Sequence, residues 1–149
     1  SLEGFEDFMN DPSYKAFFFF TPLIAAMAGN VGVQSSAIIV QGLANDAVKG
    51  SLINRLIKEL GLSLINGSIL GLLTVIFGIL INQPINLSIV ISFSMLCVIC
   101  VAALIGTSVP IILHNRGIDP AIATGPFITT CNDIFGIFLF FYIAKIFLL

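Results

Sequence analysis

Four long apolar runs, separated by short polar segments, constrain this chain more than any other feature. They cover approximately residues 13–44, 62–82, 87–113 and 119–149. A membrane-crossing helix needs about 20 mostly apolar residues, so each run is long enough to cross a hydrocarbon core. Of the residues, 58% are hydrophobic and 9% are charged, whereas soluble domains carry roughly 25% charge. We predict an all-α integral membrane protein, a single domain over residues 1–149 built as a bundle of about four transmembrane helices.

The polar segments predict how the bundle is oriented. Residues 45–61 form the most basic loop, with Lys49, Arg55 and Lys58, and such loops lie on the cytoplasmic side. Leucines recur along one side of this loop, which predicts a short amphipathic cytoplasmic helix. Residues 1–12 carry four acids and are predicted to be an acidic interfacial flank outside the membrane.

An acid, Asp133, lies near the middle of the last apolar run. The sixteen residues before it contain no Lys or Arg, and an unpaired carboxylate at that depth costs several kcal/mol unless it faces water, a partner or an ion. Pro126, Thr129 and Thr130 fall on the same helical stripe as Asp133. A polar stripe of this kind indicates an interior or a water path, and its charged member favours transport over packing. Asp119, just before Pro120, is a suitable helix N-cap.

The first apolar run carries a second polar stripe. Asn30 and Gln34 share one helical face, and Gly29, Gly32 and Ser36 permit close approach of another helix. Glycine also loosens a helix, which frees carbonyls where they line a cavity. A packing seam and a pore lining both remain open for this stripe.

Two sequence blocks resemble the MgtE family of magnesium channels and transporters. They are GNVGVQSS at residues 29–36 and DPAIATGPFITTCND at residues 119–133, and a basic loop ending in KELG accompanies them. The resemblance implies a homodimer with five membrane helices per protomer and a pore on the two-fold axis. The pore-lining helices of the family correspond here to the helices that carry Asn30 and Asp133.

The resemblance also implies a site. The family's pore aspartate matches Asp133, and the aspartate at its cytoplasmic mouth matches Asp119. Mg²⁺ prefers six oxygen ligands and gives up its water reluctantly, so we expect a partly hydrated ion held by carboxylates, free carbonyls and contacts to its water shell. The predicted metal site comprises Asp133, Asp119, Asn30, Gly29, Gly125, Thr129 and Thr130. Mn²⁺, Co²⁺ and Ca²⁺ remain alternative cargo ions.

The chain departs from the family pattern at its start. The family's first membrane helix and its cytoplasmic N and CBS domains are missing, so we expect either a fragment or a short relative, with that helix and a regulatory domain supplied on the same or another chain. The expected partners are a second copy and the lipid bilayer, with no nucleic acid. The expected location is the cell membrane of a prokaryote, crossed several times.

Two other functions are open on sequence grounds. In the first, Asp133 carries a proton in a secondary divalent-cation transporter. In the second, the chain is a non-transporting assembly subunit whose polar stripes hold helices together. An enzyme is not expected, because no Ser/His or Cys/His arrangement exists at membrane depth in the sequence.

Overall fold

Four α-helices account for most of the chain. The computed structural model describes residue 10, residues 12–48 and residues 50–148. Its helices are α1 (Pro12–Ala44), α2 (Leu52–Leu80), α3 (Ile85–Asn115) and α4 (Pro126–Leu148), with a 3-10 helix at Pro120–Ala123. All four α-helices are long and apolar enough to cross a membrane, which confirms the predicted all-α transmembrane bundle. The predicted acidic flank at residues 1–12 lies outside the described residues, except for Asn10 and Pro12.

Helix α2 differs from the prediction at its N-terminal end. The short amphipathic helix expected within residues 45–61 is not separate: Leu52 begins a helix that continues without interruption to Leu80. Ser51 caps it, its side chain accepting a hydrogen bond from the backbone N–H of Asn54. Gly61 lies inside the helix, where glycine costs only about 1 kcal/mol. Because backbone groups in a membrane must be hydrogen-bonded internally, continuing the helix costs less than breaking it there.

Helix α3 is the centre of the bundle. It packs against α1, α2, α4 and the 3-10 helix, and its 31 residues include fourteen buried ones. Its seam with α2 is built from small residues, because a Cβ at Gly67 would lie 3.3 Å from the Leu96 Cα and one at Gly71 would lie 2.6 Å from the Ser92 Oγ. Gly67 and Gly71 therefore lie on the face of α2 that packs against α3.

The last apolar run divides into two helices, where the sequence predicts one. Gly125 has a positive φ of 55° and Thr124 is extended, so the 3-10 helix ends before α4 begins at Pro126. Proline suits this first helical position, since it lacks the N–H that would be unpaired there. Pro126 therefore begins α4 and does not lie inside a helix that continues from Asp119. Asp133 accordingly lies about 10 Å from the start of α4 and about 22 Å from its end.

Apolar and polar packing occupy different ends of the bundle. The main hydrophobic core joins the first half of α1, the first half of α3 and the last turns of α4. Its largest members include Phe17 and Phe140, whose ring centroids are 4.8 Å apart. Glycines and polar side chains instead mark the contacts of the second half of α1 with the beginning of α4. The candidate site lies in this second region.

Candidate functional site

The contact between α1 and α4 brings together three of the predicted site residues. A Cβ built on Gly29 would lie 3.0 Å from the Asp133 Oδ1 and 3.2 Å from the Thr129 Cγ2. Gly29 is buried, whereas Thr129 and Asp133 are half-buried. Glycine at position 29 thus lets the carboxylate of α4 lie close to the backbone of α1, and no larger residue fits there without moving it.

Two further predicted residues flank this contact at the surface. Asn30 follows Gly29 on α1 and is exposed, and Thr130 follows Thr129 on α4 and is also exposed. Gln34, one turn after Asn30, is exposed as well. The two polar stripes therefore face outward from the single chain on neighbouring helices, instead of being enclosed within it. Such a surface suits an ion path only if something outside this bundle covers it.

The joint before α4 has its carbonyl groups engaged. The Gly125 carbonyl accepts hydrogen bonds from the Thr129 N–H at 3.0 Å and the Thr129 Oγ1 at 3.1 Å. The Ala123 carbonyl accepts one from the buried hydroxyl of Ser36 on α1. A carbonyl oxygen has two lone pairs, so the Ala123 oxygen retains acceptor capacity beyond the single bond in the structure. The Ser36 contact ties the joint to α1.

Asp119 lies at the far side of the joint. Its Oδ1 accepts a hydrogen bond from the Ala121 N–H at 2.9 Å, and the residue is exposed. The N-cap expected for this residue is confirmed, although it caps the 3-10 helix and not α4. One carboxylate oxygen bonds to the backbone in the structure, which leaves the other for a cation.

Sequence reasoning did not assign Asn132 to the site, although its amide is buried beside it. Its side chain is 1% exposed, and neither its Oδ1 nor its Nδ2 has a hydrogen-bond partner among the described residues. Its amide packs on Gly32, where a Cβ would overlap it, and the Gly32 carbonyl in turn touches Gly106 of α3. Consecutive residues of α4 therefore contact α1 one turn apart, Asn132 at Gly32 and Asp133 at Gly29.

A second polar contact joins α1 to α2. The Ser35 Oγ donates a hydrogen bond of 2.7 Å to the Glu59 Oε1. The sequence placed Glu59 in the short amphipathic helix expected within residues 45–61, apart from the membrane helix expected to start at residue 62. The signal that could have located this contact is the four-residue spacing of Arg55 and Glu59, which puts both on one side of a continuous helix.

One chain supplies few metal ligands by itself. Within residues 12–48 and 50–148, no group of three or more His, Cys, Asp or Glu side chains is placed to hold a metal ion. Around Asp133, the available oxygen donors are its own carboxylate, the Thr129 and Thr130 hydroxyls and the Asn30 side chain. A complete set of six oxygens for a divalent ion therefore needs water or a second chain.

Comparison with known proteins identifies the relatives of this sequence. A family model described as a divalent cation transporter, MgtE, matches residues 21–143. The chain is 37% identical over 148 residues to the magnesium transporter MgtE of Bacillus subtilis, and 37% identical over 148 residues to that of Enterococcus faecalis. It is 29% identical to that of Thermus thermophilus. These matches cover 99% of this chain and 32% of each relative, so the chain spans about a third of their length.

Proposed function

The chain belongs to the MgtE family of divalent cation transporters, and we propose on that premise that it conducts Mg²⁺ passively across the cell membrane. In this proposal a partly hydrated ion passes through a pore on the two-fold axis of a homodimer, where the Asp133 carboxylates hold it. The relatives are named magnesium transporters, and this chain is a multi-pass membrane protein with four membrane-crossing helices. The relatives' names support magnesium as the proposed cargo.

The observation that carries the proposal is the position of the Asp133 carboxylate. It is half-buried, within a membrane-crossing helix, and close to the Gly29 backbone on a neighbouring helix. A carboxylate at membrane depth costs several kcal/mol without a compensating partner, and such residues commonly mark ion pathways. No described Lys or Arg forms an ion pair with it. A divalent cation with its water shell is the partner that fits the surrounding oxygens.

Charge balance supports the presence of a second copy of the chain in the proposed pore. One Asp133 supplies a single negative charge, and the described part of one chain holds no cluster of metal-ligating side chains. In a two-fold symmetric dimer the same surface of both protomers meets at the axis. Two Asp133 carboxylates would then balance one divalent ion, and the exposed Asn30 and Thr130 side chains would contact its water. The outward-facing polar stripes on α1 and α4 support this pairing.

Measurement of Mg²⁺ influx into proteoliposomes tests the proposal. Asp133→Asn keeps the size of the side chain and removes its charge, so influx is expected to fall to background while the protein still inserts. Asp46→Asn is the matched control, because Asp46 is an exposed residue outside the helices and Asn tolerates its positive φ of 51°. Full influx with folded Asp133→Asn would contradict the proposal. Influx driven only by a pH gradient would favour proton coupling.

A further inference from the structure

A polar groove lies between α1 and α2, separate from the Asp133 contact between α1 and α4. Its volume is about 200 Å³, and its walls combine charged, amide and apolar side chains. Residues from α1 and α2 line it in similar numbers, including Gln34, Ser35, Ile38, Arg55, Glu59 and Asn66. A cationic side chain, Arg55, and an anionic one, Glu59, both line this groove.

The two charged residues of the groove are held differently. Glu59 is fixed by the hydrogen bond from the Ser35 hydroxyl to its Oε1 at 2.7 Å. Arg55, one turn earlier on α2, is half-buried, and its Nε is fully buried with no hydrogen-bond partner among the described residues. Burying a guanidinium N–H without an acceptor is unfavourable. Arg55 therefore lines the groove and carries a donor without a partner among the described residues.

The position of the groove along the membrane normal limits the kinds of ligand that can bind in it. Helix α2 rises about 42 Å between Leu52 and Leu80, whereas the hydrocarbon core is about 30 Å thick. Arg55 and Glu59 lie near its first residue. Because charged side chains avoid the hydrocarbon core, we place them at the level of the lipid headgroups. Ile38 and Leu62, at the walls of the groove, are 49% and 58% exposed. Apolar chains can lie against them while a polar headgroup enters the groove.

We propose that this groove binds the headgroup of phosphatidylethanolamine, a zwitterionic phospholipid. Its phosphate accepts hydrogen bonds from Arg55, and its ammonium group donates to the Glu59 oxygen that Ser35 leaves free. A divalent cation is disfavoured by Arg55, and an anionic headgroup without an ammonium leaves the Glu59 charge uncompensated. The proposal concerns lipid binding and not conduction, so its test measures lipid binding and not flux.

Native mass spectrometry of the purified full chain tests the assignment with three lipids of identical acyl chains: phosphatidylethanolamine, phosphatidylcholine and phosphatidylglycerol. Phosphatidylethanolamine is expected to bind most tightly and to raise the unfolding temperature most. Arg55→Gln is expected to weaken its binding at least about tenfold, since a charge-assisted hydrogen bond is lost. Lys58→Gln is the matched control, because Lys58 is an exposed base on the same helix that does not line the groove.

Glu59→Gln provides the second variant, because its amide oxygen still accepts the Ser35 hydrogen bond. It is expected to reduce the preference for phosphatidylethanolamine over phosphatidylcholine, whose trimethylammonium group has no N–H to donate. Equal binding of phosphatidylglycerol and phosphatidylethanolamine by the unmodified chain would overturn the proposal, and this result needs no variant to fold. An equal loss in Lys58→Gln and Arg55→Gln would also overturn it, since binding would then follow surface charge alone.

Discussion

The backbone of Gly29 and the carboxylate of Asp133 lie so close together that a methyl group on Gly29 would come within 3.0 Å of the Asp133 Oδ1. The same methyl group would lie 3.2 Å from the Thr129 Cγ2. Both neighbours belong to α4 and are one turn apart, so α4 fits against α1 along these two side chains. The position of the carboxylate therefore depends on the absence of a side chain on the facing helix.

Gly29→Ala is expected to lower Mg²⁺ influx several-fold with little change in the amount of folded protein. The tight neighbours are the ends of side chains and not backbone, so the carboxylate and the threonine methyl group can shift by a few tenths of an ångström. That shift displaces the group proposed to hold the ion. Influx into proteoliposomes, normalised to inserted protein, measures the effect.

Gly61→Ala is the control for this variant. Gly61 lies inside α2, and a Cβ there would meet nothing within 4 Å. Alanine is favoured over glycine inside a helix by about 1 kcal/mol, so the control should gain stability and keep its influx. Unchanged influx in Gly29→Ala would mean that the Asp133 contact with α1 does not set the position of the carboxylate used in conduction.

Gly106→Ala is expected to destabilise the bundle more than Gly29→Ala does. A Cβ on Gly106 would overlap the Gly32 carbonyl and lie 3.1 Å from the Gly32 Cα. Backbone atoms of a packed helix cannot turn aside as a side chain can, so α1 and α3 must separate. Overpacking of this kind costs typically 1–3 kcal/mol. Thermal unfolding in detergent measures the loss, and an unfolding temperature equal to that of the unmodified chain would contradict the described crossing of the two helices.

Asn132→Leu is expected to raise the free energy of unfolding by about 1 kcal/mol, because a buried amide without partners is replaced by an apolar group of similar size. Asn132 is 1% exposed, and both of its amide atoms lack a partner among the described residues. The measurement is the midpoint of thermal unfolding in detergent. Asn66→Leu serves as the comparison, because Asn66 is exposed and its replacement should change stability little. A loss of stability in Asn132→Leu would show that the amide is satisfied in the membrane, for example by a buried water.

The sequence was sufficient to predict features that depend on composition and local spacing. Hydropathy located the four membrane helices. The joint at Gly125 was missed because Pro126 is compatible with both a helix interior and a helix start, and only the positive φ of Gly125 decides between them. The surroundings of Asn132 depend on where Gly32 and Gly106 cross. Such a crossing is a tertiary relationship with no local signal.

Only part of the candidate site could be predicted from the sequence. Gly29, Thr129 and Asp133 were assigned to one site through the family resemblance, and the structure brings them together. Asn30 and Thr130 are exposed beside that contact, so their contribution depends on a second chain. Glu59 was expected in a separate short amphipathic helix, whereas it lies in the second turn of the continuous helix α2 and bonds to Ser35.

Asp119 combines two roles: it caps the 3-10 helix, and in the proposal it places a charge at the cytoplasmic mouth of the pore. Two substitutions at this position can separate these roles. Asparagine is as good an N-cap as aspartate, whereas alanine loses about 1 kcal/mol. Asp119→Asn should therefore keep the stability of the unmodified chain. If the charge attracts cations to the pore, the same variant should lower Mg²⁺ influx at low Mg²⁺ and low ionic strength, with a smaller effect in high salt. Asp119→Ala should lower both influx and unfolding temperature. Normal influx in Asp119→Asn combined with a deficit in Asp119→Ala would restrict the residue to capping, because only the cap distinguishes the two variants.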